Sequence, residues 1–109
     1  MPLPEPFRGD VWDVDFLEFD RHPAVVMSVN ALNRRLGHVA VIPVTGTAGP
    51  TSTHVALDVD AGRTRYDRSY ADITALQPVD RTLLLRQRDR LAPTELDRLA
   101  EQLRTYLGL

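Results

Sequence analysis

The sequence predicts a mainly β protein, a compact and partly open β-barrel with an amphipathic helix packed against it. Five or six short apolar runs, bounded by glycine, proline and polar residues, indicate the strands. Leucines at helical spacing indicate one helix at the end of the chain. The 109 residues suit one domain, without a repeat or an internal boundary. We therefore assign residues 1–7, which hold three prolines, to an extended arm and residues 8–109 to the domain.

The first half of the chain contains three strand signals and one short helix signal. Gly9–Phe16 nearly alternates apolar residues with aspartates, as a half-buried strand does. Pro23–Val29 is apolar after its proline, which suits the first residue of a strand. Asn30 has the side chain of a helix N-cap, and a glycine follows the short helix predicted over Ala31–Leu36. His38–Thr45 is the third predicted strand.

Prolines and polar loops divide the rest of the predicted sheet. Pro43, inside the third strand, indicates a sheet edge or a bulge, because proline cannot donate to a strand ladder. Further strands are expected over His54–Val59 and Tyr70–Val79, the second interrupted by a proline. Leu83–Leu85 would end the sheet.

The C-terminal helix has the clearest pattern in the chain. Pro93 suits a first helical position, acidic residues follow it, and Gly108 suits the stop. Ala92, at the expected N-cap, contributes little there. The apolar residues at helical spacing are Leu96, Leu99, Ala100, Leu103 and Leu107.

Composition and charge narrow the class of protein. The net charge is −2, which argues against a broadly basic surface for duplex nucleic acid but leaves room for a local groove that binds a short single strand. The absence of cysteine excludes disulfides and thiolate metal sites and fits a reducing cytoplasm, where we expect the protein. No apolar run is long enough to span a bilayer, and the N-terminus lacks the pattern of a secretory signal.

The stretch from Arg21 to Ser28 is the candidate site. A guanidinium and a titratable imidazole, those of Arg21 and His22, stand at the mouth of an apolar strand. Pro23 holds the preceding histidine in extended geometry. Polar side chains on a rigid strand end are a common arrangement in reacting sites.

Several short motifs occur along the chain in a recognisable order. They are Arg8-Gly9-Asp10-Val11-Trp12, His22-Pro23-Ala24-Val25-Val26-Met27-Ser28, Val41-Ile42-Pro43-Val44-Thr45, Thr53-His54-Val55, Ala71-Asp72, Val79-Asp80 and the closing Leu107-Gly108-Leu109. In this order they resemble the MazF/PemK family, the endoribonuclease toxins (mRNA interferases) of type II toxin–antitoxin pairs. The resemblance covers residues 8–109.

This resemblance implies an SH3-like barrel of the CcdB/MazF type that forms a two-fold homodimer. It implies sequence-specific cleavage of single-stranded RNA with no metal and no cofactor. It also implies a cognate antitoxin that is partly disordered until it binds. Two features depart from the family pattern: His22 stands where the family usually has an arginine before the proline, and the connection between the first two strands is shorter than usual.

Metal-independent cleavage of RNA needs three kinds of group. The 2′-OH attacks the adjacent phosphate and leaves a 2′,3′-cyclic phosphate and a 5′-OH, so a base, an acid and a cation are required. We assign this chemistry to Arg21, His22 and Thr45: a phosphate ligand, an imidazole that titrates near neutrality and a hydroxyl donor. Which of the two basic residues takes the proton stays open. Because neighbours on a strand point to opposite faces, Arg21 and His22 share a site only if the chain turns between them.

Other residues are candidates for binding the RNA. Asp72 and Thr74 would share one face of a strand, Gln77 could contact a base edge, and Thr47 follows the third strand. The loop from 63 to 70 interleaves arginines with tyrosines, and its Arg65 and Tyr66 suit backbone contact and base stacking. For each of these residues an ordinary solvent-exposed role is the competing interpretation. His38 and His54 lack metal-ligand neighbours and are expected to be structural.

Two other functions are compatible with the same barrel. A gyrase-poisoning CcdB-like toxin uses its C-terminal residues, usually with a terminal aromatic, whereas this chain ends Leu-Gly-Leu. A non-enzymatic SH3-like interaction module is the second, favoured by the displaced arginine at the site. The RNA-cleaving interpretation is the one we expect.

Overall fold

The computed structural model describes residues 5–58 and 68–109. Within these residues seven β-strands and two α-helices form, and short 3-10 turns stand at Ile73–Ala75 and Arg81–Leu83. The strands and helices are β1 (Asp10–Asp15), β2 (Arg21–Val26), α1 (Asn30–Asn33), β3 (His38–Thr45), β4 (His54–Ala56), β5 (Tyr70–Asp72), β6 (Gln77–Asp80), β7 (Leu84–Arg90) and α2 (Pro93–Leu107). The mainly β fold with a short helix after the second strand and a C-terminal helix is confirmed.

The sheet is antiparallel and open, in the order β4-β5-β3-β2-β1-β7, with β6 paired to β3. Strand β3 is its centre. One edge of β3 pairs with β2, while the other edge pairs first with β6 and then, at its last two residues, with β5. This change of partner divides the strands into two groups that meet at the end of β3.

The expectation that Pro43 marks a sheet edge is wrong, because β3 is central. The Ala40 carbonyl accepts from the Met27 N–H on the β2 side (2.9 Å), so by two-residue alternation the Pro43 nitrogen points to the opposite edge. There Pro43 falls between Val41, the last residue paired with β6, and Val44, the first paired with β5. The missing N–H therefore interrupts no ladder, which is how a proline is tolerated in a central strand.

Side chains that cap turns explain two other differences from prediction. Asp72 ends β5 because its Oδ1 accepts from the Thr74 N–H (3.1 Å) and hydroxyl (2.6 Å), which turns the chain into a 3-10 helix. The single strand predicted over Tyr70–Val79 is therefore two strands. The Asn30 side chain, expected to cap α1, instead accepts the Arg8 N–H (2.7 Å), and Val29 stands at the N-cap of this shorter helix.

Strand β7 continues beyond the predicted Leu83–Leu85 to Arg90, and the residues that were not predicted are polar. Its arginines pair with aspartates of β1: the Arg88 Nε donates to Asp13 (2.5 Å) and the Arg90 Nε donates to Asp10 (2.9 Å). Asp10 is fully buried and also accepts the Phe7 N–H (2.8 Å). Ion pairs hold this edge strand, so an apolar pattern could not reveal it.

The core lies on both faces of the central strands. One layer, covered by α2, includes Val11, Val25, Ile42 and Leu99, all fully buried. The opposite layer is built from alternate residues of the same strands: Val14, Ala24, Val26, Val39 and Val41. Burial on both faces explains why β2 and β3 have continuous apolar sequences.

Helix α2 begins at Pro93, as predicted, and ends where Gly108 adopts a left-handed φ of 74°. Its N-cap, Ala92, has no side-chain acceptor, but the buried Glu95 carboxylate accepts the Ala92 N–H (3.0 Å). The other Glu95 oxygen accepts the Asp58 N–H (2.9 Å) and ties the segment after β4 to the helix start. No helix among the described residues is long and apolar enough to cross a membrane.

Candidate functional site

A cleft of about 250 Å³ lies where β2 begins and β3 ends, beside β5 and β6. Four residues proposed from the sequence line it, His22, Thr45, Asp72 and Gln77. The remaining wall is apolar and consists of Phe16, Phe19, Pro43, Val44 and Ala75. The central position of β3 creates this cleft, because the strand changes partner there.

His22 reaches the cleft from the second residue of β2. It lies opposite Val14 of β1, is half-buried, and its ring centroid is 6.3 Å from that of Phe16 at a tilt of 56°. Pro23, which follows it, is buried in the sheet. The imidazole is thus held by the sheet and an aromatic neighbour, and it remains accessible from the cleft.

Arg21 is not among the residues that line the cleft. The sequence left open whether the chain turns between Arg21 and His22, and it does not: both belong to β2, so their side chains alternate to opposite faces. Arg21 is exposed, opposite Asp15 on β1, and its N–H donates to the Asp20 side chain (2.8 Å). The structure therefore brings His22 and Thr45 together but leaves Arg21 outside the cleft wall.

Thr45 is the last residue of β3, and its hydroxyl oxygen accepts the Thr47 N–H (3.2 Å). Since that bond uses a lone pair, the hydroxyl hydrogen can be donated to a group in the cleft. The Thr47 side chain is exposed and does not line the cleft. The contact of Thr47 with the site is its backbone N–H, which donates to Thr45.

Asp72 and Gln77 line the cleft, whereas Thr74 does not. The prediction that Asp72 and Thr74 share a strand face is wrong, because Thr74 lies in the 3-10 turn and its hydroxyl is bonded to Asp72. The Gln77 Nε2 donates to the Ala75 carbonyl (3.2 Å), which orients the amide at the cleft floor. Arg65 and Tyr66 lie outside the described residues.

Sequence reasoning missed the aromatic part of the site. Phe19 lines the cleft and is 61% exposed, although a phenylalanine is usually buried. The available signal was its context: it stands between an acidic residue and Asp20 in a turn, where no strand could bury it. His54, expected to be structural, lies outside this cleft. It lies opposite Asp72 on β4, with its Nε2 3.9 Å from an Asp72 carboxylate oxygen.

A second, larger cleft of about 380 Å³ opens between α1, β3 and β6. Its wall is mostly apolar and includes Leu32, Leu36, Leu76 and Pro78. Gln77 lines both clefts, so they are neighbours on one surface. Among the residues that the structure describes, no group of three or more histidine, cysteine or acidic side chains is arranged to hold a metal ion.

Comparison with protein families finds a match over nearly the whole chain. Residues 7–107 match the family described as "PemK-like, MazF-like toxin of type II toxin-antitoxin system". A search of curated protein sequences finds no significant match.

Solved structures of similar fold come from bacteria that include mycobacteria and Deinococcus. An endoribonuclease from a mycobacterial species has 24% identity and a TM-score of 0.84, covering 100% of this chain and 97% of that one. A mycobacterial endoribonuclease in complex with its cognate antitoxin has 25% identity and a TM-score of 0.85, with 95% and 96% covered. A MazE–MazF complex from Deinococcus radiodurans has 23% identity and a TM-score of 0.82, with 97% and 98% covered.

Proposed function

The chain belongs to the PemK-like, MazF-like toxin family of type II toxin–antitoxin systems, and from this premise we propose that it is an endoribonuclease acting on single-stranded RNA in the cleft around His22. The observation that carries the proposal is the convergence of His22, Thr45 and Asp72 on one cleft with an exposed aromatic at its mouth. The imidazole can transfer a proton and the hydroxyl can donate to a phosphate oxygen without a metal, while the positive charge that the phosphates need comes from Arg21, beside the cleft at the start of β2.

The reaction follows from the chemistry of RNA. The 2′-oxygen loses its proton to a base and bonds to phosphorus; the bond from phosphorus to the 5′-oxygen breaks, and an acid protonates that oxygen. The products are a 2′,3′-cyclic phosphate and a 5′-OH. His22 acts as base or acid, since imidazole titrates near neutral pH, and the Thr45 hydroxyl donates to a phosphate oxygen.

Arg21 serves this reaction from outside the cleft wall. Its guanidinium stays protonated and does not act as a base. Because its side chain is exposed beside the start of β2, it contacts a phosphate of a neighbouring nucleotide with paired N–H donors. We therefore interpret the histidine before the proline as a separation of two roles: the imidazole transfers a proton and Arg21 contacts the RNA backbone.

The remaining contacts to RNA come from side chains around the cleft. Phe19 offers an exposed ring on which a base can stack, and Gln77 offers an amide to a base edge. Asp72 can accept a hydrogen bond from a base or a sugar. Thr47 and Thr74, together with Arg65 and Tyr66, which lie outside the described residues, complete the proposed RNA-binding residues.

We further propose that the protein is a homodimer regulated by a cognate antitoxin. Support comes from similar solved structures, which include a mycobacterial endoribonuclease with its cognate antitoxin and a MazE–MazF complex. A segment of the antitoxin that is disordered until bound would cover the cleft and block RNA. The protein is expected to act in the cytoplasm, where such RNA is found.

The test is RNA cleavage by purified protein in EDTA. Wild type should cut a long single-stranded RNA at discrete sites, and His22→Gln should lower the rate by at least about 100-fold. His38→Gln is the matched control, because His38 is an exposed histidine outside this cleft. If wild type leaves RNA intact, or if His22→Gln cuts at the wild-type rate, the proposal is wrong. Gyrase-dependent DNA breaks without RNA cleavage would instead support a gyrase poison.

A further inference from the structure

We propose that His54 is a positioning residue for RNA cleavage: it orients the Asp72 carboxylate and supports the loop from Gly46 to Thr53, which follows Thr45. This inference rests on the proposed function and deepens it. His54 itself is not part of the cleft wall, so it would act through Asp72 and the loop, without touching the RNA.

The two ring nitrogens of His54 face different polar groups. Its Nε2 lies 3.9 Å from Asp72 Oδ2, and its Nδ1 lies 2.8 Å from the Thr53 hydroxyl oxygen. The His54 side chain is 20% exposed and the Asp72 side chain 28% exposed, so water screens the pair only in part. The two residues face each other across the β4–β5 ladder.

The His54 Nδ1 lies within hydrogen-bonding distance of the Thr53 hydroxyl oxygen (2.8 Å), and that hydroxyl also lies 3.2 Å from the Pro50 carbonyl oxygen. Which of the two groups donates depends on the tautomer of the ring. In either tautomer Nδ1 is engaged by Thr53, so the ring is oriented with Nε2 towards Asp72.

Asp72 has a polar neighbour at each of its two carboxylate oxygens. Oδ1 accepts from the Thr74 backbone and hydroxyl, and Oδ2 faces His54. A carboxylate fixed in this way presents a constant orientation to the cleft that it lines. A displacement of about 1 Å in a group around a reacting phosphate can lower the rate about 100-fold.

The loop that follows Thr45 packs on the same ring. A Cβ placed on Gly49 would lie 2.5 Å from Nδ1, 2.6 Å from Cε1 and 2.8 Å from Cγ of His54, closer than real contacts allow. The loop backbone at Gly49 therefore approaches the imidazole as only glycine can. The same loop begins directly after Thr45 and donates the Thr47 N–H to the Thr45 oxygen. His54 thus supports both the Asp72 side and the Thr45 side of the cleft.

Substitutions of His54 separate positioning from simple packing. His54→Leu keeps bulk but loses both ring nitrogens, and we expect kcat to fall about tenfold to a hundredfold with little change in KM. His54→Gln places an amide N–H near Asp72 and should recover much of the activity.

A double-mutant cycle tests the loop contact. Gly49→Ala should lower kcat and the melting temperature in wild type, but should do neither in a His54→Ala background, where space for the methyl group exists. Gly37→Ala is the control, since a Cβ there meets no atom within 4 Å. Wild-type kcat in His54→Leu, or an equal effect of Gly49→Ala in both backgrounds, would overturn this inference alone. If wild type does not cleave RNA, the proposed function is wrong and this inference is overturned with it.

Discussion

At the scale of single residues, the proposed chemistry depends on two side chains, those of His22 and Thr45, which lie at the start of β2 and the end of β3. His22 and Thr45 were recognisable because each stands at the end of an apolar strand, and both line the cleft. The position of Arg21 could not be predicted, because it depends on whether β2 begins before or after the arginine. Phe19 was missed because an exposed phenylalanine is unusual, although its position in a polar turn was a local signal.

Thr45→Val removes the hydroxyl and keeps the β-branched shape that suits the end of β3. If the hydroxyl donates to the phosphate, kcat for RNA cleavage should fall about 100-fold while the melting temperature changes little. Single-turnover cleavage and thermal unfolding measure the two quantities. Thr94→Val, at an exposed threonine of α2 outside the site, should leave the cleavage rate unchanged and the melting temperature nearly so. A normal rate in Thr45→Val would remove Thr45 from the mechanism.

Arg21 should contribute to affinity more than to the chemical step. A residue that neutralises one phosphate of a single strand contributes about 0.7 to the slope of log Kd against log salt. Arg21→Gln should therefore lower that slope by about 0.7 and weaken binding at low salt, with kcat nearly unchanged. Fluorescence anisotropy with a labelled, non-cleavable 2′-deoxy oligonucleotide measures the slope. An unchanged slope combined with a large loss of kcat would return Arg21 to the reacting phosphate.

At the scale of elements, those whose signals lie within their own segment could be predicted from the sequence. Elements that depend on contacts with distant residues could not. Helix α2 was predictable because its proline, its leucine spacing and its glycine stop are all contained within the segment. The division of Tyr70–Val79 depended on one carboxylate, that of Asp72, which caps a turn inside an apolar run. Strand β7 depended on ion pairs with β1, formed by residues about 75 positions apart, which no local pattern records.

The start of α2 should be sensitive to Glu95. This residue is 1% exposed and its two carboxylate oxygens accept the Ala92 and Asp58 N–H groups. Glu95→Ala should lower the free energy of unfolding by about 2–3 kcal/mol, because two backbone N–H groups lose a buried charged acceptor. Glu95→Gln, which keeps one carbonyl oxygen, should lose less. Urea unfolding measures both, with the exposed Glu101→Ala as control. A loss below 0.5 kcal/mol, on the order of an ordinary surface substitution, would contradict this role.

The turn after β6 should make stability depend on acid pH. The pKa of Asp80 lies below its ordinary value of 3.8, chiefly because its carboxylate accepts the Thr82 N–H, then the Thr82 hydroxyl, with a smaller effect of His38. A lowered pKa in the folded state means that the ionised form stabilises the fold. That stabilisation is complete above pH 3.8 and is lost as the pH falls through the lowered pKa.

Asp80→Asn tests this dependence, because asparagine can still cap the turn but does not ionise. The stability difference between wild type and Asp80→Asn should be largest at about pH 5 and above and should shrink in more acid solution. Thr82→Val, which keeps the backbone donor and loses the hydroxyl, should give an intermediate dependence. Urea unfolding at a series of pH values measures the difference. A difference that stays constant from neutral to acid pH would show that the turn does not depend on the charge.

At the scale of the whole molecule, one open sheet with a central strand that changes partner creates the cleft, and the net charge of −2 requires RNA contacts to be local. The overall class was predictable because the apolar runs and the terminal helix define it. The cleft was not, since it exists only where β2, β3, β5 and β6 meet. In the reaction proposed for that meeting point, the RNA's own 2′-OH is the nucleophile.

The most direct measurement maps one cleavage site and then compares an all-RNA oligonucleotide with one that has a single 2′-deoxy residue at that site. In EDTA, wild type should cut the first into a 2′,3′-cyclic phosphate and a 5′-OH, identified by mass spectrometry, and should leave the second intact. His22→Gln should cut neither. Cleavage of the 2′-deoxy substrate, or products with a 5′-phosphate, would contradict the account, because another nucleophile would then be at work.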